Sequence, residues 1–421
     1  MAASDRNLRA WPQGAERTGR PGVARHDLRL FLIAGEHSGD ALGSRLMAAL
    51  NVLRKGRVHY LGVGGEGMER EGLASQFPLS DVAVMSPLSI LLRLPRLISR
   101  VRRTAEAAVA AEPDAVVIID APEFTHPIAK RIRKRAPQVP IIDYVSPSVW
   151  AWRPGRARKM RTYVDHVLAL LPFEPQAHEE LGGPPCTYVG HPLIERRDWM
   201  RKLDPYALAD RLRLEEQRPV LLVLPGSRIS EVGRLMGSFG KAVDLLYERG
   251  LAPQVIMPVV PHVRPLVEAK LKSWRTRPHL IEGEEDKFRA FKLAHAALAA
   301  SGTVTLELAL AGTPMVVAYR VDRISARPLR FLIKAPSVVL ANLVLGEKAF
   351  PEFIQEDCTP ENLASAVGLL LRDTFERRGQ LAALARIPQR MVRADGSPSD
   401  VAAEIVLQYA EHGRDAVRLI R

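Results

Sequence analysis

Cysteine is nearly absent from this chain of 421 residues: Cys186 and Cys358 stand far apart, and neither lies in a metal-ligand spacing. A disulfide framework is thereby excluded, and a reducing cytoplasm fits best. No apolar run reaches the ~18 residues that a bilayer-spanning helix needs. Internal repeats and low-complexity tracts are missing as well. Acids are outnumbered, with 47 Asp and Glu against 60 Lys and Arg, so the formal net charge is +13 and the pI about 10.0. An anionic partner follows, but nucleic acid, a phosphorylated substrate and an anionic membrane would each satisfy it. The remainder is an ordinary soluble composition, 47% hydrophobic and 25% charged, long enough for two domains.

Residues 1–27 contain Trp11-Pro12, Gly14, Gly19 and Arg20-Pro21-Gly22 without an apolar period or a signal-peptide core, and read as a disordered extension. The α/β pattern then runs through residues 28–192. A charged connection spans 193–204, a second α/β stretch 205–395, and a final helix 396–421.

Two stretches of the second half carry the strongest site signals. Ser301-Gly302-Thr303-Val304-Thr305-Leu306-Glu307 sits between the apolar runs 296–300 and 315–319, a parallel strand–helix–strand step. Ser301 or Thr303 can cap the helix, Gly302 lets a ligand approach the backbone, and Glu307 can accept from a ribose hydroxyl. An ordinary capped helix ended by Gly312-Thr313-Pro314 explains the same residues. The run 220–224 leads into Pro225-Gly226-Ser227-Arg228 and a helix with Val232, Leu235, Met236, Phe239, Val243 and Leu246 on one face. Gly226 and Ser227 free the backbone to face an anion and Arg228 offers a forked donor, which reads as a diphosphate site.

In the first half, the run 28–34 precedes Gly35-Glu36-His37-Ser38-Gly39-Asp40 and a helix starting near Ala41. This glycine-rich turn lacks the third glycine of a dinucleotide fingerprint, and its acids Glu36 and Asp40 suit hydroxyl or amine recognition. A second such turn is Leu61-Gly62-Val63-Gly64-Gly65-Glu66-Gly67. The run 115–119 ends at Asp120-Ala121-Pro122-Glu123-Phe124, where two carboxylates invite acid/base work, or Asp120 simply caps the next helix. After the strand 141–145 come Trp150 and Trp152, then Arg156, Arg158, Lys159 and Arg161, an apolar wall beside a cationic rim. His191 reads as structural.

Residues 86–103 hold five arginines and no acid. Leu94, Leu97, Ile98 and Val101 fall on one helical face, with Pro95 in the first turn and Leu91, Leu92 and Arg96 beside them. Such a basic amphipathic segment suits an anionic membrane, and an ordinary surface helix is the alternative. A second basic-apolar stretch interleaves Arg323, Arg327, Arg330 and Lys334 with Leu329, Phe331, Leu332 and Ile333.

Taken in order, the blocks 34–40, 120–124, 144–153, 224–228, 301–303 with Glu307, and Pro351-Glu352-Phe353-Ile354-Gln355 resemble the lipid-A-disaccharide synthases. Glu123 stands where that family usually has Asp. The resemblance covers residues 28 to the C-terminus and implies an α/β fold of GT-B type, two Rossmann-like domains facing across a cleft. It implies an inverting transfer from UDP-2,3-diacylglucosamine to the 6-hydroxyl of 2,3-diacylglucosamine 1-phosphate (lipid X), with no metal and no cofactor. Asp120 and Arg228 are then catalytic. Gly226, Ser227, Ser301, Gly302, Thr303, Glu307, Asn342, Glu352 and Gln355 serve the donor, and Glu36, Ser38, Asp40 and Trp150 the acceptor. Leu91, Leu92, Leu94 and Arg96 serve a membrane contact. The implied partners are the two lipid substrates and an anionic membrane surface, not nucleic acid, with a second copy of the chain as a further candidate. The implied location is the cytoplasmic face of the inner membrane, peripherally bound.

Two rivals stay open at this point. A non-hydrolysing UDP-sugar epimerase shares the fold and UDP site but leaves residues 86–103 unexplained. A nucleic-acid binder explains the charge but not Glu36, Asp40 and Asp120.

Overall fold

The computed structural model describes residues 27–82, 87–321, 336–394 and 396–420, with the backbone alone for 87–94. The chain divides into two units, Met1–Pro192 with Arg393–Arg421, and Leu193–Val392.

The first unit is built on seven parallel strands: β1 (Leu28–Ala34), β2 (Val58–Val63), β3 (Leu73–Ser75), β4 (Ala115–Ile119), β5 (Ile141–Tyr144), β6 (His166–Ala169) and β7 (Cys186–Tyr188). Their order is β3-β2-β1-β4-β5-β6-β7. Strands such as Ala-Val-Val-Ile-Ile are apolar throughout because both sheet faces are covered by helices. Side-chain alternation sorts each strand between two cores. Leu28, Leu30, Leu32, Val117 and Ile119 face the helix His37–Leu53 and the C-terminal helix Pro398–His412, which contributes Val401, Ile405, Val406 and Tyr409. Phe31, Ile33, Val116 and Ile118 face the helices Pro87–Ala110 and Pro122–Arg135. The end of the chain therefore belongs to the first unit's core. Tyr409 also places its hydroxyl 3.2 Å from His166 Nδ1 on β6.

The second unit repeats the plan with β8 (Val220–Leu224), β9 (Gln254–Pro258), β10 (His279–Ile281), β11 (Ala296–Ala300), β12 (Met315–Tyr319) and β13 (Glu352–Ile354). The order is β10-β9-β8-β11-β12-β13, again parallel. The helix Ile229–Glu248 buries Val232, Leu235, Met236, Phe239, Val243 and Leu246, the face its periodicity predicts.

Several local expectations change. The helix after β1 begins at His37 rather than near Ala41. The helix Pro87–Ala110 starts well before Pro95, which lies inside it rather than in its first turn. Its apolar stripe splits: Leu97 packs on the core and Val101 is buried, whereas Ile98 is 53% exposed. The connection after residue 192 carries the short helices Pro192–Glu195 and Arg197–Lys202, with Leu193 and Met200 buried. The three-residue strands β3, β10 and β13 have no counterpart in the sequence reading.

Candidate functional site

In each unit the strand order reverses between the first and fourth strands, and the loops after those two strands are where an open α/β sheet receives its ligand. In the first unit these are the loops after β1 and β4, which lie side by side because Ala34 pairs with Ile119. Gly35 makes the approach feasible, since a Cβ there would meet the Ala121 Cβ at 2.5 Å.

Asp120 is fixed from several sides. Its N–H donates to the Tyr144 carbonyl at 3.0 Å, and its carbonyl accepts from Thr125 Oγ1 at 2.9 Å. Its carboxylate accepts from Ser38 Oγ at 2.7 Å and from the Ala121 N–H at 2.8 Å. Asp120 (φ 54°), Ala121 (φ 45°) and Val145 at the end of β5 (φ 89°) all occupy the left-handed region. Such positions cost on the order of 1–3 kcal/mol each in non-glycine residues and gather at functional loops. Ser38 and Asp120 are thus one constellation, with exposed Glu36 and His37 on the same turn.

Asp40 is occupied differently. Its carboxylate accepts the N–H groups of Gly65, Gly67 and Met68 at 2.8, 3.0 and 3.0 Å, locking the second glycine-rich turn to the first helix. With three backbone donors on it, Asp40 positions a turn, where the sequence suggested acceptor recognition. Glu123, the second carboxylate after β4, is paired with an arginine. It lies in the first turn of its helix, where Arg156 Nη2 donates to it at 2.6 Å and holds its carboxyl below the usual range. Trp150 is half-buried, its indole N–H donating to Glu174 Oε1 at 3.2 Å and its ring set edge-on to Phe173. Glu174 also accepts from the N–H groups of Leu170 and Leu171, and its burial pushes its carboxyl up to about 7.

The second unit presents the loops after β8 and β11, adjacent through the pairing of Ala299 with Leu224. Gly226 has φ 111°, and a Cβ on it would meet Glu231 Oε2 at 2.4 Å. That carboxylate accepts from the Ser227 and Arg228 N–H groups at 3.1 and 3.2 Å, while Arg228 Nη1 donates to Oε1 at 3.1 Å. The expectation that this turn leaves its backbone open to an anion is therefore corrected: its own Glu231 caps it. The Arg228 side chain, 79% exposed, is what this loop offers.

The loop after β11 is the open one. Ser301 does not cap the helix; its Oγ donates to the Val338 carbonyl at 2.6 Å. Thr303 stands at the N-cap without a side-chain hydrogen bond. Among the described residues the N–H groups of Gly302, Thr303 and Val304 have no acceptor, and a Cβ on Gly302 would meet nothing within 4 Å. Glu307, one turn on, is held by Lys287 Nζ at 3.0 and 3.1 Å, which leaves its remaining lone pairs directed elsewhere.

The later block converges on the same place. Glu352 Oε2 accepts from Ser337 Oγ and the Val338 N–H, both at 2.8 Å, so Ser301 and Glu352 hold one loop between them. Asn342 is 2% exposed and exchanges two hydrogen bonds of 2.9 Å with the Phe350 backbone, donating also to Ser337 Oγ. Its amide clamps the loop from inside, where the sequence suggested donor binding. Gln355, at φ 53°, accepts the Val321 N–H on Oε1 at 2.8 Å.

Sequence reasoning missed Glu231, Lys287 and the buried chain Asp143–His126–Tyr163. His126 Nε2 lies 3.1 Å from Asp143 Oδ2, and its Nδ1 lies 3.0 Å from the Tyr163 hydroxyl. For Glu231 the signal existed, an acid three residues after the helix N-cap. For the other two, the partners are distant in sequence.

No helix among the described residues is long and apolar enough to cross a membrane. The side chains of Leu91, Leu92 and Leu94 and the whole basic-apolar stretch from Arg323 to Lys334 lie outside the described residues. Arg96 and Ile98, exposed on the helix Pro87–Ala110, lie within them.

The family profile described as lipid-A-disaccharide synthetase matches residues 30–404. A lipid-A-disaccharide synthase of Nitrobacter hamburgensis is 52% identical over 93% of this chain and 98% of its own. One from Bradyrhizobium diazoefficiens is 50% identical over 92% and 97%. Among solved structures, the UDP-GlcNAc 2-epimerase from Neisseria meningitidis bound to UDP-GlcNAc superimposes with a TM-score of 0.60, covering 90% of this chain and 99% of its own at 13% identity. That likeness speaks for the fold alone, two Rossmann-like units of GT-B type.

Proposed function

The chain belongs to the lipid-A-disaccharide synthetase family, and from that premise we propose how its residues divide the work of the reaction. It transfers the sugar of UDP-2,3-diacylglucosamine to the 6-hydroxyl of 2,3-diacylglucosamine 1-phosphate, giving the β-1,6-linked disaccharide 1-phosphate and UDP. The match over residues 30–404 carries this reading and sets aside the epimerase and nucleic-acid alternatives. The decisive assay supplies both lipid substrates, one radiolabelled. Disaccharide with stoichiometric UDP is expected, and a new UDP-sugar formed from the donor alone would overturn it.

In the proposed division Asp120 is the general base. An alcohol is a weak nucleophile at neutral pH, so a carboxylate must take its proton as the oxygen attacks the anomeric carbon. Ser38 and the Ala121 N–H each donate to one Asp120 oxygen, which orients both for the incoming hydroxyl. On the donor side Arg228 and the free N–H groups at 302–304 meet the diphosphate charge as UDP departs, with the helix dipole behind them. Glu307 and Gln355 stand ready for the nucleoside, while Glu352 and Asn342 hold the loop that Ser301 grips. Glu36 and Trp150 belong to the acceptor side.

Membrane contact is assigned to the helix Pro87–Ala110, where exposed Arg96 and Ile98 continue the basic-apolar sequence of residues 87–94. A polybasic contact contributes about 1 kcal/mol per charge near an anionic surface. With this contact we propose a peripheral position on the cytoplasmic face of the inner membrane. Flotation with anionic liposomes, reduced when Leu91, Leu92 and Leu94 become Ser, supports the assignment; unchanged flotation removes it.

A further inference from the structure

A cationic pocket of about 470 Å³ opens in the first unit between the helices Pro122–Arg135 and Gly155–Met160. Its wall carries Lys130, Arg153, Arg156 and Lys159 against a single carboxylate, Glu123. Such an excess of positive charge in a concave site attracts an anion and focuses its field. Glu123 pairs with Arg156. No described carboxylate pairs with the other three: Lys130 Nζ lies 5.0 Å over the Tyr163 ring and Arg153 lies 4.0 Å over the Trp152 ring, while Lys159 is exposed. Arg153 reaches its place from a left-handed backbone, φ 53°. Beneath them, His126 and Tyr163 are buried and bonded to each other at 3.0 Å. The floor is rigid and the rim cationic.

The pocket's position gives it a ligand. Its lining begins at Pro122, whose Cα is within about 7 Å of the Asp120 Cα by chain geometry alone. We propose that this pocket seats the phosphate monoester of the sugar acceptor, so that the 6-hydroxyl, carried through C6 on C5 across the ring oxygen from C1, is presented to Asp120. The inference rests on the assignment of Asp120 to the acceptor side. A phosphate monoester carries close to two negative charges, and two lysines with one arginine that make no ion pair with a described carboxylate match it. A membrane lipid headgroup offers the same chemistry from a second source, and the experiment separates the two.

The test uses the full chain with Lys130 and Lys159 both changed to Ala. Both side chains are exposed, so folding is not at stake. The KM for lipid X is expected to rise about tenfold or more, the equivalent of one lost charge-assisted contact. The KM for the UDP-sugar stays unchanged and kcat stays within about threefold. The double change to Arg restores the acceptor KM. Soluble glucosamine 1-phosphate competes with lipid X on the wild type and loses that effect on the Ala variant. Glu123→Gln, which releases Arg156 from its carboxylate, lowers the acceptor KM. An unchanged acceptor KM in the Ala variant overturns the proposal, and so does a loss of liposome flotation with normal KM, which would assign the lysines to membrane lipid. Failure of the wild type to form disaccharide at all would instead strike the reaction assignment, leaving glucosamine 1-phosphate binding to report on the pocket.

Discussion

The two units place their loops at the same topological position and fill them with opposite chemistry. After β1 and β4 the first unit sets carboxylates, Glu36, Asp40 and Asp120; after β8 and β11 the second sets glycines, hydroxyls and Arg228. The parallel sheet decides where a ligand is met, because its strand order reverses there. The residues decide which chemistry is met: in the proposed division, a proton acceptor in one unit and donors for an anion in the other. Within each unit the two loops also differ. Asp40 locks the turn after β2 to the first helix and Glu231 caps the loop after β8, whereas Asp120 and the N–H groups at 302–304 remain available. Each unit thus uses one carboxylate to hold a turn rigid, and in the proposed division another loop is left for the ligand.

The largest effect should come from the first unit's open loop. Asp120→Asn keeps the size and one acceptor oxygen for the Ala121 N–H, while its amide nitrogen can donate to Ser38 Oγ, but it removes the basic oxygen, so turnover should fall by about 10²- to 10⁴-fold with little change in UDP or lipid X affinity. Single-turnover rates alongside equilibrium binding would check it, and turnover within threefold of wild type would end the comparison's claim for a base. Next is Arg228→Ala. Loss of a charge-assisted contact to diphosphate should weaken UDP by about 1.5–3 kcal/mol and leave lipid X untouched, as titration calorimetry would show. If both ligands weakened alike, the opposition between the units would dissolve.

Smaller, and of a different kind, is the response of the closed loops. Asp40→Ala strands three backbone donors in the second glycine-rich turn, and unfolding free energy should drop by about 1–3 kcal/mol. The residual activity per folded molecule should stay close to wild type. A stable Asp40→Ala protein that has lost acceptor affinity would return this residue to recognition.

Much of this fold is legible in the sequence where burial is two-sided. The strands Leu28–Ala34, Ala115–Ile119, Val220–Leu224 and Ala296–Ala300 follow their apolar runs because nothing polar fits between two helix layers. The strands β3, β10 and β13 are three residues each, too short to show a period, and exist because a neighbour offers a paired edge. Pro95 misled by a local rule: proline favours a first turn, but packing of Val101, Thr104, Ala105 and Ala108 sustains a helix that began earlier. Site residues were found as positions more readily than as roles. Ser301, Glu352 and Asn342 do meet on one loop, yet whether a polar side chain faces a ligand or clamps a backbone depends on partners such as Val338 and Phe350, which spacing alone does not reveal.

The first unit also carries pH-sensitive burial close to its site, in two groups one turn apart on the helix Glu174–Glu180. Burial pushes Glu174 up to about 7 and His178 down to about 4. Their linkage to folding has opposite signs. Glu174 binds its proton more tightly when folded, so its contribution is full below its unfolded value and is lost as pH rises toward 7. His178 binds its proton less tightly when folded, so its contribution is full above about 6.5 and is lost as pH falls through that value toward 4. Between pH 6 and 8 the two changes are each about 1 kcal/mol and oppose one another. The destabilisation caused by Glu174→Gln should therefore shrink across that interval, and that caused by His178→Gln should grow. Denaturant titrations of both variants and the wild type at pH 6, 7 and 8 would read the two slopes. Slopes of the same sign would show that one of the groups titrates as it does in water, and that Trp150, held by Glu174, rests on a differently charged support.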